Sequence, residues 1–228
     1  NWSNSLVTPR LVRESWAAAG LTDVAGQAFD DHLAAVMDRM GCNEEVSTQN
    51  EVHNRITEAA SKLGYSYRVT PLNIDPDSYD PVIAGYSGMG DQTGAKKGTM
   101  LTYLQDACDA GATIMPNTRA DRILTENGVA AGIEGTYTDP ATGQTARVVI
   151  TAPTVVAAAG SLETPALLLR SGIGGPAVGK GLHMHPATLV AGIYDSPQEQ
   201  WYGPAMAGAM DEFAEFNERY GKPIEGGQ

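Results

Sequence analysis

Near the start of the chain, apolar side chains recur at helical spacing. Phe29, Leu33, Val36, Met37 and Met40 fall on one stripe, and Val52, Ile56, Ala59 and Leu63 on another. The pattern predicts helices over about Thr8–Leu63, with stops at Gly20, Gly41 and Gly64. The methionines of this region read as core filler. Arg68–Gly98, with Pro71, Asp75-Pro76-Asp77, Pro81, Gly85, Gly88 and Gly90, predicts a long loop. Loops of that length in a compact domain tend to be lids or binding elements. A helix is expected over about Thr99–Ala110, with Met100, Leu104 and Ala107 on one face.

From Ala112 onward the period shortens to two. Ile114-Met115 and Ala120–Leu124 are strand candidates, and Val129–Tyr137 and Ala146–Thr151 alternate around Asp139–Gly143 as a hairpin. Thr188–Tyr194 reads as a further strand and Met210–Arg219 as a helix. Between them lies the most informative run, Thr154–Gly174, which reads as strand, bare turn and helix. Val155 and Val156 predict a buried strand, and Ala157–Gly160 a turn without side-chain bulk. Thr164 is the expected N-cap, with Pro165 at the first helical position. Leu167, Leu168 and Leu169 give an apolar face, and Gly172 ends the helix in the left-handed region. Such a turn lets backbone N–H groups approach a phosphate-bearing cofactor closely.

The chain has 228 residues, enough for one large domain or two small ones with cores of their own. Its net charge of −12 argues against a nucleic-acid partner. No apolar run approaches the ~20 residues that span a bilayer. Cys42 and Cys108 stand far apart without a CxxC, which indicates reduced thiols and a cytoplasmic location rather than a disulfide framework or a zinc site.

The wording of the informative run is specific. Gly160-Ser-Leu-Glu-Thr-Pro165 followed by Leu168-Leu-Arg-Ser-Gly-Ile-Gly174 closely resembles the second signature of the glucose–methanol–choline (GMC) flavin oxidoreductases. Asn1 and the run Trp2–Trp16 resemble the segment after that family's first flavin-covering loop, in its long-chain alcohol oxidase branch. Gly90–Ala107, with Gly94-Ala-Lys96, resembles a loop and helix of the same branch. Met89 and Asp91 stand where cysteines are usual there. Val178-Gly-Lys-Gly-Leu-His-Met-His185-Pro186 is similar to the Gly-Lys-Asn-Leu…His-Pro motif, with Gly181 in place of Asn.

The resemblance implies a mixed α/β (α+β) chain: a partial Rossmann-like FAD domain with an antiparallel β-meander, plus a largely helical substrate or cap portion. On that reading, 1–98 belongs to the substrate side, 99–182 to the FAD domain, and 183–228 begins the substrate-binding domain. It implies FAD as cofactor, held by Asn1, Ala120, Ala159, Gly160, Ser161 and Thr164, with the main chain of Ala120 against the adenine. It also implies a small-molecule alcohol as substrate. No GxGxxG fingerprint occurs in the sequence, and the family's C-terminal catalytic histidine has no counterpart. An internal piece is therefore expected, without a catalytic base, needing the rest of the polypeptide to bind FAD. Membrane association of the intact protein stays open.

Other readings compete for single features. His183 and His185, two apart on an extended segment, share a face and could ligate a metal, although a structural role near the domain junction is the simpler account. His32 and His53 read as surface or cap residues. Gly85-Tyr-Ser87-Gly-Met89 approaches a hydrolase nucleophile elbow but has Met89 at the fifth position, so Ser87 with His185 is a weak alternative. A non-catalytic ligand-binding module would also lack catalytic residues.

Overall fold

The computed structural model describes residues 5, 7–184 and 187–212. They form two compact units, one built from the residues up to Ala112 together with those from Val190, the other from Thr113–Leu189. The architecture mixes helices with antiparallel sheet, as expected.

In the first unit the predicted helical region divides into α1 (Arg10–Ala18), α2 (Gln27–Arg39) and α3 (Glu51–Leu63). Gly20, Gly41 and Gly64 follow them with φ of 108°, 62° and 69°, the left-handed values that end helices at glycine. Arg13 of α1 is buried. Its guanidinium pairs with Asp30 at 2.7 Å, donates to the Val24 carbonyl at 3.1 Å and lies over the Phe29 ring. The stretch 43–50 is not helical, and it feeds the core through Val46.

The segment expected as loop is largely irregular: β1 (Arg68–Val69), a 3-10 turn (Pro76–Ser78) and α4 (Pro81–Ala84) are its short regular pieces. It nevertheless carries the core, in which Leu72, Ile74 and Ala95 pack with Val46 against Tyr79. A buried loop must satisfy its own main chain. Asn43 and Leu72 exchange N–H···O bonds of 3.0 and 2.8 Å, and Lys97 N–H donates to the Asn73 carbonyl at 2.7 Å. The returning residues 201–212 complete the cover. β5 (Gly208–Ala209) pairs with β1, Thr70 N–H donates to the Ala207 carbonyl at 3.0 Å, and Asn50 Nδ2 to that of Tyr202 at 3.0 Å. The predicted helix after Gly98 breaks in two at Thr102, into a 3-10 turn (Thr99–Leu101) and α5 (Tyr103–Asp109). Arg39 of α2 grips Asp106 of α5 with two guanidinium nitrogens.

His53 is both cap and core. It is the N3 residue of a capping box on α3: its N–H donates to Asn50 Oδ1 at 3.1 Å, and its Nδ1 accepts from Asn50 N–H at 3.4 Å. The ring is buried, and burial holds its pKa below the ordinary histidine value. The unfolded chain therefore takes up this proton first as the pH falls. Stability is whole above about pH 6.5 and declines as the pH drops toward the lowered folded value. His53→Gln keeps a capping-box residue that does not titrate. Unfolding midpoints at pH 7.5 and 5.5 should converge in the variant relative to the parent.

In the second unit β2 (Thr118–Glu126), β3 (Val129–Thr138) and β4 (Thr145–Thr151) form a meander in the order β2-β3-β4. Asn127 and Gly128, with φ of 51° and 79°, make the tight turn between the first pair. Asp139 organises the second turn, its carboxylate accepting from Ala141 N–H at 2.8 Å and Thr142 N–H at 3.2 Å. Helix α6 (Gly160–Arg170) follows.

Three predicted strands are absent: Ile114-Met115, Thr154–Ala158 and Thr188–Tyr194 are irregular. A strand needs a neighbouring ladder, and none of the strand pairings among the described residues includes these three. Val156, Leu189, Val190 and Ile193 are accordingly exposed rather than buried. Most of the helix predicted over Met210–Arg219 lies outside the described residues.

Candidate functional site

The site is built on the open edge of β2. Thr138 N–H donates to the Asn117 carbonyl at 2.9 Å, and the register pairs Arg119 with Thr136 and Ala120 with Gly135. In antiparallel pairing, hydrogen-bonded and non-hydrogen-bonded pairs alternate. Arg119 therefore directs its main chain at β3, whereas Ala120 turns its N–H and C=O away from the sheet. The register then slips between Ala120 and Arg122, leaving Asp121 as the extra residue of a bulge.

The bulge is held from several sides. Asp121 accepts from Thr136 Oγ1 at 2.5 Å and Arg119 Nε at 2.8 Å. The hydroxyl bond first, then the guanidinium, keep its carboxyl below the ordinary range, with the Arg170 charge adding to them.

One face of the meander forms an open cleft of about 490 Å³. Its floor is small, because Ala120, Gly135 and Val148 lie in one row across the three strands. Ile133 and Ile150 form the next row, and Met115 lines the cleft as well. A floor of Ala and Gly beside apolar walls, with an outward N–H and C=O at its edge, suits a flat ring carrying a donor and an acceptor on its rim. On the opposite face Glu134 takes Arg122 at 3.1 Å and Arg147 at 2.6 Å.

Helix α6 does not start where its sequence suggests. Thr164 is not the N-cap: Ala159 is, Gly160 opens the helix with φ 84°, and Thr164 lies inside it. Thr164 Oγ1 accepts from Ala159 N–H at 2.8 Å, which secures the additional turn. Pro165 is thus interior, and its missing N–H leaves the Ser161 carbonyl without its helical donor. Ser161, Pro165, Gly179, Gly181 and His183 line a second open cleft of about 520 Å³. The C-terminus follows expectation. Gly172, φ 67°, donates to the Leu169 carbonyl at 3.1 Å and Ile173 to that of Leu168 at 3.0 Å, a complete Schellman motif.

The predicted cofactor residues thus divide between two places in this unit. Ala120 lies in the meander cleft, and Ala159, Gly160, Ser161 and Thr164 cluster at the start of α6. Asn1 lies outside the described residues. Sequence reasoning passed over the residues that join α6 to β2. Ser171 Oγ accepts from Ile123 N–H at 2.8 Å, and Arg170 donates to the carbonyls of Asp121 at 3.1 Å and Ala120 at 3.4 Å. Both stand in the signature-like run, which marked them as notable without naming their partners.

The hydrolase reading finds little support. Ser87 follows α4 rather than a strand and is buried, and its carbonyl accepts from Lys96 Nζ at 3.0 Å. His183 Nδ1 sits 2.9 Å from the Gly181 carbonyl, and His185 lies outside the described residues. No group of three or more metal-ligating side chains occurs among the described residues. Lys97 Nζ pairs with Asp75 at 3.1 Å, and Lys96 N–H donates to Asp91 at 2.5 Å. Among the described residues no helix is long and apolar enough to cross a membrane.

A family model described as GMC oxidoreductase matches residues 1–187. The N-terminal domain of that family is a Rossmann-like FAD-binding domain. The long-chain-alcohol oxidase FAO4B of Arabidopsis thaliana is 28% identical over 218 residues, which cover 92% of this chain and 29% of the relative. The long-chain-alcohol oxidase FAO3 of the same plant is 30% identical over 202 residues, 85% of this chain and 26% of the relative. The uncharacterized GMC-type oxidoreductase Rv0492c of Mycobacterium tuberculosis (strain ATCC 25618 / H37Rv) is 37% identical over 163 residues, 70% of this chain and 24% of the relative. The chain thus spans less than a third of the length of these relatives. The cleft chemistry fits the adenine end of FAD, whereas the phosphate-holding GxGxxG fingerprint is not among these residues.

Proposed function

Since the chain belongs to the GMC oxidoreductase family, we propose that the intact protein oxidises an alcohol CH–OH group to a carbonyl, with long-chain alcohols as its substrate class. FAD, when bound, is the hydride acceptor for that chemistry. The residues of this chain bind and orient. Ala120 meets the adenine with its outward main chain, while the bare turn Ala159-Gly160-Ser161, with Thr164 behind it, keeps side-chain bulk away from the cofactor. Residues 99–182 supply a partial FAD domain, with 1–98 and 183–228 on the substrate side, in a cytoplasmic protein. The proton-accepting group comes from the remainder of the polypeptide, so this piece alone binds FAD poorly and does not turn over.

The observation that carries the reading is the outward main chain of Ala120 at the open edge of a floor that it forms with Gly135, in a chain whose family is FAD-dependent. The test is a visible spectrum of the full-length gene product before and after anaerobic addition of a long-chain primary alcohol. Flavin bands that bleach are expected. Bands that persist overturn the substrate class, and a protein that takes up no flavin after reconstitution overturns the enzyme reading. A yellow, alcohol-bleached preparation of the 228-residue chain would overturn the claim that this piece is inactive.

A further inference from the structure

The open edge of β2 is covered at one end by α6. An exposed strand edge presents unpaired main-chain groups that folds usually protect. Here the last turn of α6 does so through side chains. Ser171 takes the Ile123 N–H at 2.8 Å and returns its own proton to the Leu167 carbonyl at 2.6 Å. Arg170 places Nε 3.1 Å from the Asp121 carbonyl and Nη2 3.4 Å from the Ala120 carbonyl. The two contacts differ in what they can control. Ser171 acts beyond the bulge, whereas Arg170 spans the bulge itself and the peptide on either side of Asp121.

A bulged residue is where a strand can most easily swivel, because it has no partner in the ladder. At this bulge a swivel would re-aim the outward N–H of Ala120. The side chain of Asp121 is fixed by Thr136 and Arg119, and its carbonyl by Arg170. A planar guanidinium holds two carbonyls with donors in a fixed fork, whereas an ammonium is a point charge on a flexible stem and does not fix their direction. We infer that Arg170 is a positioning residue for the nucleotide half of FAD: by clamping the carbonyls of Ala120 and Asp121 it fixes the direction of the Ala120 N–H toward the adenine rim. The inference rests on the proposed role of Ala120 in binding that ring.

Adenine and hypoxanthine separate the possibilities. Adenine N1 is an acceptor, whereas hypoxanthine N1 carries a proton, so a fixed N–H donor at the rim favours ADP over IDP. Affinities for both are measured by titration calorimetry on the deflavinated full-length protein and on its Arg170→Lys, Arg170→Met and Ser171→Ala variants. The parent should prefer ADP. Both Arg170 variants should reduce that preference roughly three- to tenfold, the scale of one hydrogen bond. Ser171→Ala, which loosens α6 from β2 without touching the bulge, should keep the parent ratio. A general loss of stability lowers both affinities together and leaves the ratio alone.

Three results overturn the inference. If Arg170→Lys or Arg170→Met retains the parent ratio, the clamp does not aim the N–H. If Ser171→Ala lowers the ratio equally, helix packing rather than the guanidinium sets it. If the parent itself shows no preference for ADP, the role of Ala120 fails and the inference falls with it. The last is told apart from the others by the parent protein alone. Arg170→Lys keeps the charge and the stem, so the test survives a failure of Arg170→Met to fold.

Discussion

Gly132→Val should abolish the three-stranded sheet of the second unit. Gly132 sits in β3 at φ 149°, a backbone conformation that side chains rarely adopt, and a Cβ built there would lie 2.1 Å from the Ile150 carbonyl oxygen of β4. The obstacle is the main chain of β4, so no rotamer change relieves it. Strain of this kind added to a broken ladder costs about 3 kcal/mol or more. Gly135, with a Cβ position 2.5 Å from the Arg119 carbonyl, shows the same closeness between β3 and β2. Two glycines thus let the central strand lie close to both neighbours, and the second also forms the floor beside Ala120. Hydrogen exchange on the Gly132→Val protein should show loss of protection across β3 and β4, with the Asn43–Leu72 pair of the other unit as internal reference. Protection unchanged at Ile133 and Ile150 would refute the account.

Leu72→Ala is the second large effect. Leu72 has no exposed surface and stands at the centre of the cluster with Val46, Ile74 and Ala95. Removing three carbons from such a site costs about 2–5 kcal/mol, because the lining closes only partly around the cavity. The lining here is loop whose main chain is already committed. Leu72 exchanges two hydrogen bonds with Asn43, while Asn73 is fully buried and donates through Nδ2 to the Lys97 carbonyl at 2.9 Å. Collapse around the void would break those bonds, which places the expected loss in the upper half of the range. Denaturant unfolding followed by tyrosine and tryptophan fluorescence should record the drop. A loss below about 1 kcal/mol would mean that the loops repack freely.

The helices and the hairpin around Asp139 are legible in the sequence because each is specified locally, by glycine stops, by a 3.6-residue period, or by an Asx turn. The signature-like run also marks the helix at Gly160 and, through the family it resembles, the cofactor. What was missed has two kinds of cause. Asn127-Gly128 is a strong two-residue hairpin signal, and it carries β2 on to Glu126, two residues past the Leu124 at which the strand pattern stops. The start of α6 depends on Thr164 reaching back five residues to the Ala159 amide, an alternative to capping that the same residue types permit equally well. Other features are not local at all. Val155 and Val156 have strand chemistry but no ladder beside them, and propensity alone does not make a strand. Arg170 acts on Ala120 fifty residues earlier. Nothing in the spacing of the two could have disclosed that contact.

The order of the chain carries a consequence for synthesis. The whole of the second unit lies between Ala112 and Val190, inside the sequence of the first. A polypeptide emerging N-terminus first therefore finishes its meander while the earlier unit is still open. Thr70 must wait for Met206, 136 residues later, before its hydroxyl finds an acceptor, and its amide waits for Ala207. Contacts of such separation form late, since the intervening loop must be closed before they return anything. A nascent chain of which Leu189 has just cleared the ribosome would thus carry a completed sheet and α6, with the loop core around Leu72 still lacking its last cover. Nascent-chain proteolysis should find the later-made unit resistant before the earlier one.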